Sequence, residues 1–316
     1  MHPVPYTAGM DEVELREFRY FIAVAEELNF TRAAARLGLA QPPLSAAIGK
    51  LERKLGVRLL ERTSRRVALT PAGAVLLEQG RIAVEAAGAA IERTRRAGIQ
   101  PGRLTVAVKP GTGTDLVAQI MRRCARDPRM PRLHIMFGHP GGPAAAVRSG
   151  AADVAILRAP FDRRGLDAEL LVTERRLAVL PADHPLAGRA ELRRADLAGE
   201  PMPRWAGTPD PAAAAHWTGT DTPSPAGRAP DGQPDGPEIN DISQLLAAVT
   251  LGGAVAYLPA SVARQHNSAD VAFVPVTDLS PSEVMVAWPA TSRSRAVAAF
   301  VSAAVEAAAR HSAVSA

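Results

Sequence analysis

Residues 30–55 read FTRAAARLGLAQPPLSAAIGKLERKL, and this stretch decides the fold of the first part of the chain. Its spacing predicts a short Ala-rich helix over 31–37, a turn at Gly38-Leu39-Ala40, and a second helix from Gln41-Pro42-Pro43 to about Leu55. Gly38 suits a turn where a positive φ is often required. The prolines suit a first helical turn, whose amide protons have no intrahelical acceptor. Leu44, Ile48, Leu51 and Leu55 recur at helical spacing, as do Leu15, Phe18, Phe21, Ile22 and Ala25 in an earlier helix. Small residues at Ala33, Ala34 and Ala35 let helices approach closely. The pattern is a helix-turn-helix on a three-helix core, whose second helix can enter a DNA major groove.

Charge supports that reading. Residues 13–66 hold 11 of the 37 Lys/Arg and 6 of the 32 Asp/Glu, so the whole excess of +5 sits there and the remainder balances. Lys50, Arg53, Lys54, Arg58, Arg62, Arg65 and Arg66 cluster late in this segment. Clustered cations are what phosphate binding and counterion release require. The stretch 57–70, VRLLERTSRRVALT, reads as two extended pieces around Ser64-Arg65-Arg66. Such a wing would bring Arg65 and Arg66 to phosphates or a minor groove. The plainer alternative is a helical hairpin with a solvated basic face.

Residues 13–73 resemble the N-terminal domain of LysR-type transcriptional regulators. The words that carry the likeness are LREFRYFIAVAEELNFTRAAARLGLAQPPLS and IGKLERKLGVRLLERTSRRVALTPAG. The resemblance implies DNA contacts from Thr31, Gln41, Pro42, Ser45 and Arg65. Ala46, Ala47 and Gly49 stand where the family often has longer polar or basic side chains. Base choice is therefore expected to lean on Gln41, Ser45, Lys50 and the wing, with a share from DNA shape.

At 316 residues the chain has room for two domains or more. No apolar run is long enough to span a bilayer. Residues 1–12 read as a disordered tail without a signal-peptide core, and Met10 is an alternative start. The single Cys124 excludes an intrachain disulfide. The expected compartment is the cytoplasm.

Thr70-Pro71-Ala72-Gly73 opens a long helix over 71–98, with Thr70 as N-cap. Leu77, Val84 and Ile91, and beside them Val75, Ile82 and Ala89, repeat every seven residues, next to small Gly73, Gly80 and Ala87. That suits close helix–helix pairing; packing against the chain's own C-terminal part is the alternative. The resemblance implies a linker helix that makes a homodimer, extended to a homotetramer.

From Arg103 the pattern changes. Strands are expected at 104–108, 132–137, 153–157, 177–181, 254–259, 273–276 and 283–288, and helices at 112–126, 143–149, 241–251 and 293–309. Alternation of this kind indicates an α/β fold with parallel sheets. By resemblance it is an effector domain of periplasmic-binding-protein type over 103–308. Its first subdomain would take 103–163 and 271–308, and its second 164–270. Residues 201–237 hold 9 Pro and 5 Gly in 37, which disfavours long helices and central strands. Part of this segment is expected to be a mobile surface loop, either a cleft wall carrying Arg204, Trp205 and Trp217 or a solvated insertion.

Clefts in such domains lie at strand ends and helix N-termini. Lys109-Pro110-Gly111-Thr112 is the first such point, and Lys109 is the one lysine outside the basic segment. Arg158 follows another strand end. The expected effector contacts are Lys109, Gly111, Thr112, Arg158, Arg204 and Trp205, and a carboxylate-bearing small molecule would suit the cations. The turn lacks P-loop spacing. Seven histidines show no paired ligand spacing and no nucleophile motif appears, so neither catalysis nor a metal nor a cofactor is expected. The expected partners are double-stranded DNA, a second copy, an effector and RNA polymerase, with no membrane. The alternative is a small-molecule-binding protein with a weakened DNA-binding head.

Overall fold

The computed structural model describes residues 13–62, 66–99, 101–139, 141–206, 210–221, 234–266 and 268–315. The N-terminal tail and the wing tip with Arg65 lie outside them. The chain forms two compact units, Met1–Glu92 and Arg93–Ala316.

In the first unit, α1 (Leu15–Glu27), α2 (Phe30–Leu37) and α3 (Gln41–Leu55) precede β1 (Leu60–Arg62) and β2 (Val67–Leu69). Asn29 caps α2 through the Arg32 amide, and Gly38 ends it at φ 67°. Phe21, Val24, Ala33, Ala34, Leu44, Ile48 and Leu51 form its core, while Leu55 is half-exposed. The strands pair antiparallel, Leu60 opposite Leu69.

Helix α4 (Pro71–Ile99) begins at Thr70, whose hydroxyl accepts the Gly73 amide at 3.0 Å and donates to the Arg58 carbonyl at 2.7 Å. The small residues along α4 have a nearer cause than a partner helix. A Cβ at Gly73 would lie 2.0 Å from the Leu59 carbonyl oxygen, and Gly80 faces Phe18 and Ile22 of α1. Val75 and Ile91 remain open, at 62% and 51% exposure. Past the unit boundary, Arg96 pairs with Asp153 at 2.5 Å, and Asp153 also accepts the Thr105 amide at 2.7 Å.

The second unit runs β3 (Arg103–Val108), α5 (Thr114–Cys124), β4 (Arg132–Met136), α6 (Gly142–Arg148), β5 (Val154–Arg158), β6 (Leu166–Glu174) and β7 (Arg176–Pro181). It continues with β8 (Met202–Trp205), α7 (Pro211–Thr218), β9 (Asp235–Ile239), α8 (Ile242–Thr250), β10 (Ala256–Pro259) and α9 (Ala260–Gln265), and ends with β11 (Val271–Pro275), β12 (Ser282–Pro289) and α10 (Arg295–Ser315). One sheet has the order β4-β3-β5-β12-β6, another β10-β7-β11, and β8 pairs with β9.

Only part of this is parallel. β3 runs parallel to β4 and β5, whereas β12 is antiparallel to both β5 and β6. The second main sheet is wholly antiparallel. The returning strand β12 enters from the other sheet, so no helical crossover sets its direction. The chain passes between sheets at Glu174–Arg176 and again between Pro275 and Ser282. β6 therefore belongs with the first subdomain and β11 with the second, which moves the expected boundaries at 163/164 and 270/271.

The Pro/Gly-rich segment holds short elements, β8, α7 and the start of β9, and no long helix or central strand among its described residues; residues 207–209 and 222–233 lie outside the described ones. α7 is anchored by a buried polar knot. The fully buried Arg176 side chain donates to the Ser280 carbonyl and hydroxyl, each at 2.7 Å, to the His216 carbonyl, and to Asp221 at 3.4 Å. His216 Nδ1 lies 2.9 Å from Asp221. Burial and the nearby Arg176 charge push the His216 pKa below its usual value, against the pull of Asp221.

Gly73→Ala should lower the stability of the first unit by about 1–3 kcal/mol through overpacking, read by helical circular dichroism. Tryptophan fluorescence should be unmoved, because Trp205, Trp217 and Trp288 all lie in the second unit. Gly80→Ala, with its added carbon in ordinary contact, should be close to neutral. Because His216 is held neutral when folded, the unfolded chain binds the proton first as pH falls through 6.5. Tryptophan-monitored stability should therefore decline below that pH, and less steeply in His216→Gln.

Candidate functional site

The outward face of α3 is built by what its other face buries. Leu44, Ile48 and Leu51 point into the core, which leaves Gln41, Ser45, Gly49 and Arg53 along one outer line at four-residue spacing. Thr31, Gln41, Pro42 and Lys50 are exposed and Ser45 is half-buried. At Gly49 an added Cβ would meet only Arg53 Nη1, at 3.5 Å, so the guanidinium lies beside the gap.

Ion pairing sorts the cations. Lys54 is half-buried and bonds both carboxylate oxygens of Glu17, at 2.9 and 2.8 Å. Burial alone would raise the Glu17 pKa, but the Lys54 bond and the Glu14 amide hold it below its usual value. Arg62 pairs with Glu52 at 3.1 Å and lies 4.8 Å from the Phe30 ring centroid. Arg36 and Arg81 both hold Glu26, at 2.7 and 2.6 Å. Lys50, Arg53 and Arg58 have no ion pair among the described residues, and Arg66 is exposed beside β2. Glu52, which sequence reasoning passed over, accepts the Leu59 and Leu60 amides at 2.9 and 3.2 Å and so fixes the start of the wing. An acid inside a basic helix was the available signal.

In the second unit, the β3–α5 loop faces the second subdomain. The Lys109 ammonium lies 5.0 Å from the Trp205 ring centroid, and Trp205 packs 5.6 Å from Trp217. Crowding by protein atoms lowers the Lys109 pKa. Gly111 has φ 83°, and an added Cβ there would sit 3.4 Å from Ile242, the first residue of α8. Asp241 caps that helix through the Gln244 amide. Lys109, Gly111 and Trp205 are therefore brought close together, with Trp217 and Ile242 next to them. Thr112 is only 4% exposed. Arg204 is exposed and sits 3.9 Å from Asp235. As β-strand neighbours, Arg204 and Trp205 point to opposite faces.

Arg158 differs from the expected open contact, because its guanidinium is already enclosed. It donates to Glu174 at 2.7 Å, to Ser282 Oγ at 2.8 Å, to Ser261 Oγ at 3.0 Å and to the Gly111 carbonyl at 3.5 Å. Glu174 in turn accepts the Ser261 amide and hydroxyl at 2.6 and 2.8 Å. Both side chains are nearly buried, 8% and 12% exposed. Glu174 ends β6 and Ser282 opens β12, so the pair stands at both crossings between subdomains.

Cys124 is buried, and burial pushes its thiol up to about 11, which leaves it unreactive. Among the described residues no cluster of His, Cys, Asp or Glu could hold a metal, and no helix is long and apolar enough to cross a membrane.

Arg158→Ala strands a buried carboxylate and should cost the second unit about 3–5 kcal/mol, measured by tryptophan-monitored denaturation. Arg158→Met with Glu174→Leu should cost clearly less than the two single changes added together.

Two family models match the chain: the LysR substrate binding domain over residues 97–309, and the bacterial regulatory helix-turn-helix protein, lysR family, over 15–74. The uncharacterized HTH-type transcriptional regulator YnfL of Escherichia coli is 37% identical over 60% of this chain, which spans 65% of that protein. The HTH-type transcriptional regulator CatR of Pseudomonas putida is 34% identical over 84% of this chain and 89% of its own length. The crystal structure of full-length BenM matches at 25% identity and a TM-score of 0.55, covering 96% of this chain and 98% of that one. The chain belongs to the LysR family.

Proposed function

We propose that the chain is an effector-responsive DNA-binding regulator of transcription, working in the cytoplasm on two-fold promoter sites by binding rather than catalysis. The observation that carries this reading is the solvent-facing surface of α3 and the turn after it, where Gln41, Lys50, Arg53 and Arg58 are exposed and the three cations have no ion pair among the described residues. Such cations exchange counterions for DNA phosphates, while Gln41 can reach a base edge. Val75 and Ile91 are open apolar positions on α4, which supports self-association through 71–98. A homodimer matches two-fold DNA, and a homotetramer extends it.

The effector reading rests on Lys109, Trp205 and Trp217. A cation over one indole, with a second indole packed against the first, suits a carboxylate attached to a flat apolar body. Closure of the two subdomains on that molecule would shift the population of the state competent at promoters. RNA polymerase is the further partner such a regulator implies. The short side chains at Ala46 and Gly49 favour a second reading, a small-molecule binder with a weakened head.

DNA titrations across salt concentrations separate the two readings. Lys50→Ala should reduce the salt slope by about one phosphate contact, whereas Lys54→Ala should leave the slope and lower stability. Specific binding to the chain's own upstream DNA supports regulation. Affinity with no dependence on Lys50, Arg53 or Gln41 would sink it.

A further inference from the structure

Helices α5 and α10 pack together on one side of the five-stranded sheet, with Ile120 and Cys124 against Phe300, Ala304 and Ala307. Between their outer faces lies a cavity of about 280 Å³, lined by Gln119, Arg122, Arg123, Arg126, Ala307 and Arg310. Four guanidinium groups therefore share one concavity. Arg123 pairs with Glu306. Arg122, Arg126 and Arg310 have no ion pair among the described residues, and Asp127, which also feels the Arg123 charge, is held by Arg129 at 3.0 Å. Arg123 Nε is shielded from water and lacks a hydrogen-bond partner, while Gln119 Nε2 lies 3.0 Å from His311 Nδ1.

The helix dipole explains only part of this. Arg122 and Arg123 lie in the last turn of α5, where cations offset the carbonyl end. Arg310 does not, because α10 runs on to Ser315. Guanidinium cannot shed its proton, so a bound anion would relieve the mutual repulsion that solvent and the Glu306 pair leave. Its planar donor fork fits phosphoryl oxygens in pairs.

We propose that this cavity is a second ligand site, separate from the Lys109–Trp205 opening, and that it takes a small molecule bearing two or more phosphoryl groups. The site owes nothing to the DNA-binding reading. A doubly or triply charged phosphoanion would hold Arg122 of α5 and Arg126 just beyond it to Arg310 of α10. It would thereby brace the last helix against the sheet.

The test is calorimetric titration of the full chain with inorganic pyrophosphate, with ATP and sulfate as parallel probes. The expected result is one site per chain, with affinity at least tenfold weaker in Arg126→Ala and in Arg310→Ala and unchanged in a Lys50→Ala, Arg53→Ala double variant. Arg310→Lys, which keeps charge and loses the fork, should fall between. Melting curves without ligand verify that the variants fold. ATP tighter than pyrophosphate assigns the source to a nucleotide, and equal binding assigns it to the phosphoanion itself. The proposal is overturned if sulfate binds as well as pyrophosphate, or if the head variants lose the heat. It is also overturned if the cavity variants change the oligomeric state and leave pyrophosphate binding intact, since the arginines would then serve a second copy.

Discussion

One buried guanidinium governs the larger unit. Arg158 touches the last residue of β6, the first residue of β12, the loop after β3 and the start of α9, which together include both points where the chain changes sheets. A charge buried this far tolerates little drift in its partners, because each lost bond leaves an unpaired group in low dielectric. The two crossings are thus held in register by the same side chain. Ser261 lies in the second subdomain, so the clamp joins both subdomains at their shared edge. Motion of one subdomain against the other must pivot about this clamp or break it. The opening at Lys109 and Trp205 is where such motion would be felt.

In the smaller unit the same accounting of charge separates architecture from binding. Lys54, Arg62, Arg36 and Arg81 look like their basic neighbours in sequence, yet each holds a carboxylate. Glu52 ties the end of α3 to β1 through two backbone amides. The wing is therefore positioned by the helix that precedes it, not by its own short pairing. Among the described residues of α3 and the turn after it, Lys50, Arg53 and Arg58 remain for an external polyanion, fewer than the cluster of charge suggests. A shallow α3 surface at Ala46 and Gly49 limits direct base contacts, which gives backbone contacts and DNA shape more of the work.

Local signals were legible in the sequence, and non-local ones were not. The three helices before residue 56 announce themselves through apolar spacing, Gly38 and the paired prolines, because helices depend on neighbours a few residues apart. Thr70 as a cap is local in the same way. Strand direction is not. β12 reads as a buried strand, but nothing within it tells that it returns antiparallel from another sheet. β6 was missed because Leu166–Glu174 alternates weakly and lies at a sheet edge. Gly73 and Gly80 fell on a heptad and suggested a partner helix, whereas their closest neighbours are Leu59 and α1 of the same chain. Arg158 looked open because Glu174, Ser261 and Ser282 are remote in sequence. The pairing of Lys109 with Trp205 was similarly invisible, though each residue separately marked itself as unusual.

Ligand response in this architecture must be a matter of differential contact. A molecule bound equally well to open and closed forms shifts nothing, however tightly it binds. The opening has what discrimination needs: Lys109 and Gly111 are carried by the first subdomain, and Trp205, Trp217 and Ile242 by the second. Were the effector to bind there as proposed, touching both sets, it would gain most when they are close. The indoles are themselves held by a segment anchored through Arg176, His216 and Asp221. His216 is neutral in that knot and Arg176 cannot be, so the wall of the opening is fixed by a charge that does not titrate beside one that does. Acidification would therefore act on this wall through His216 and the segment it anchors.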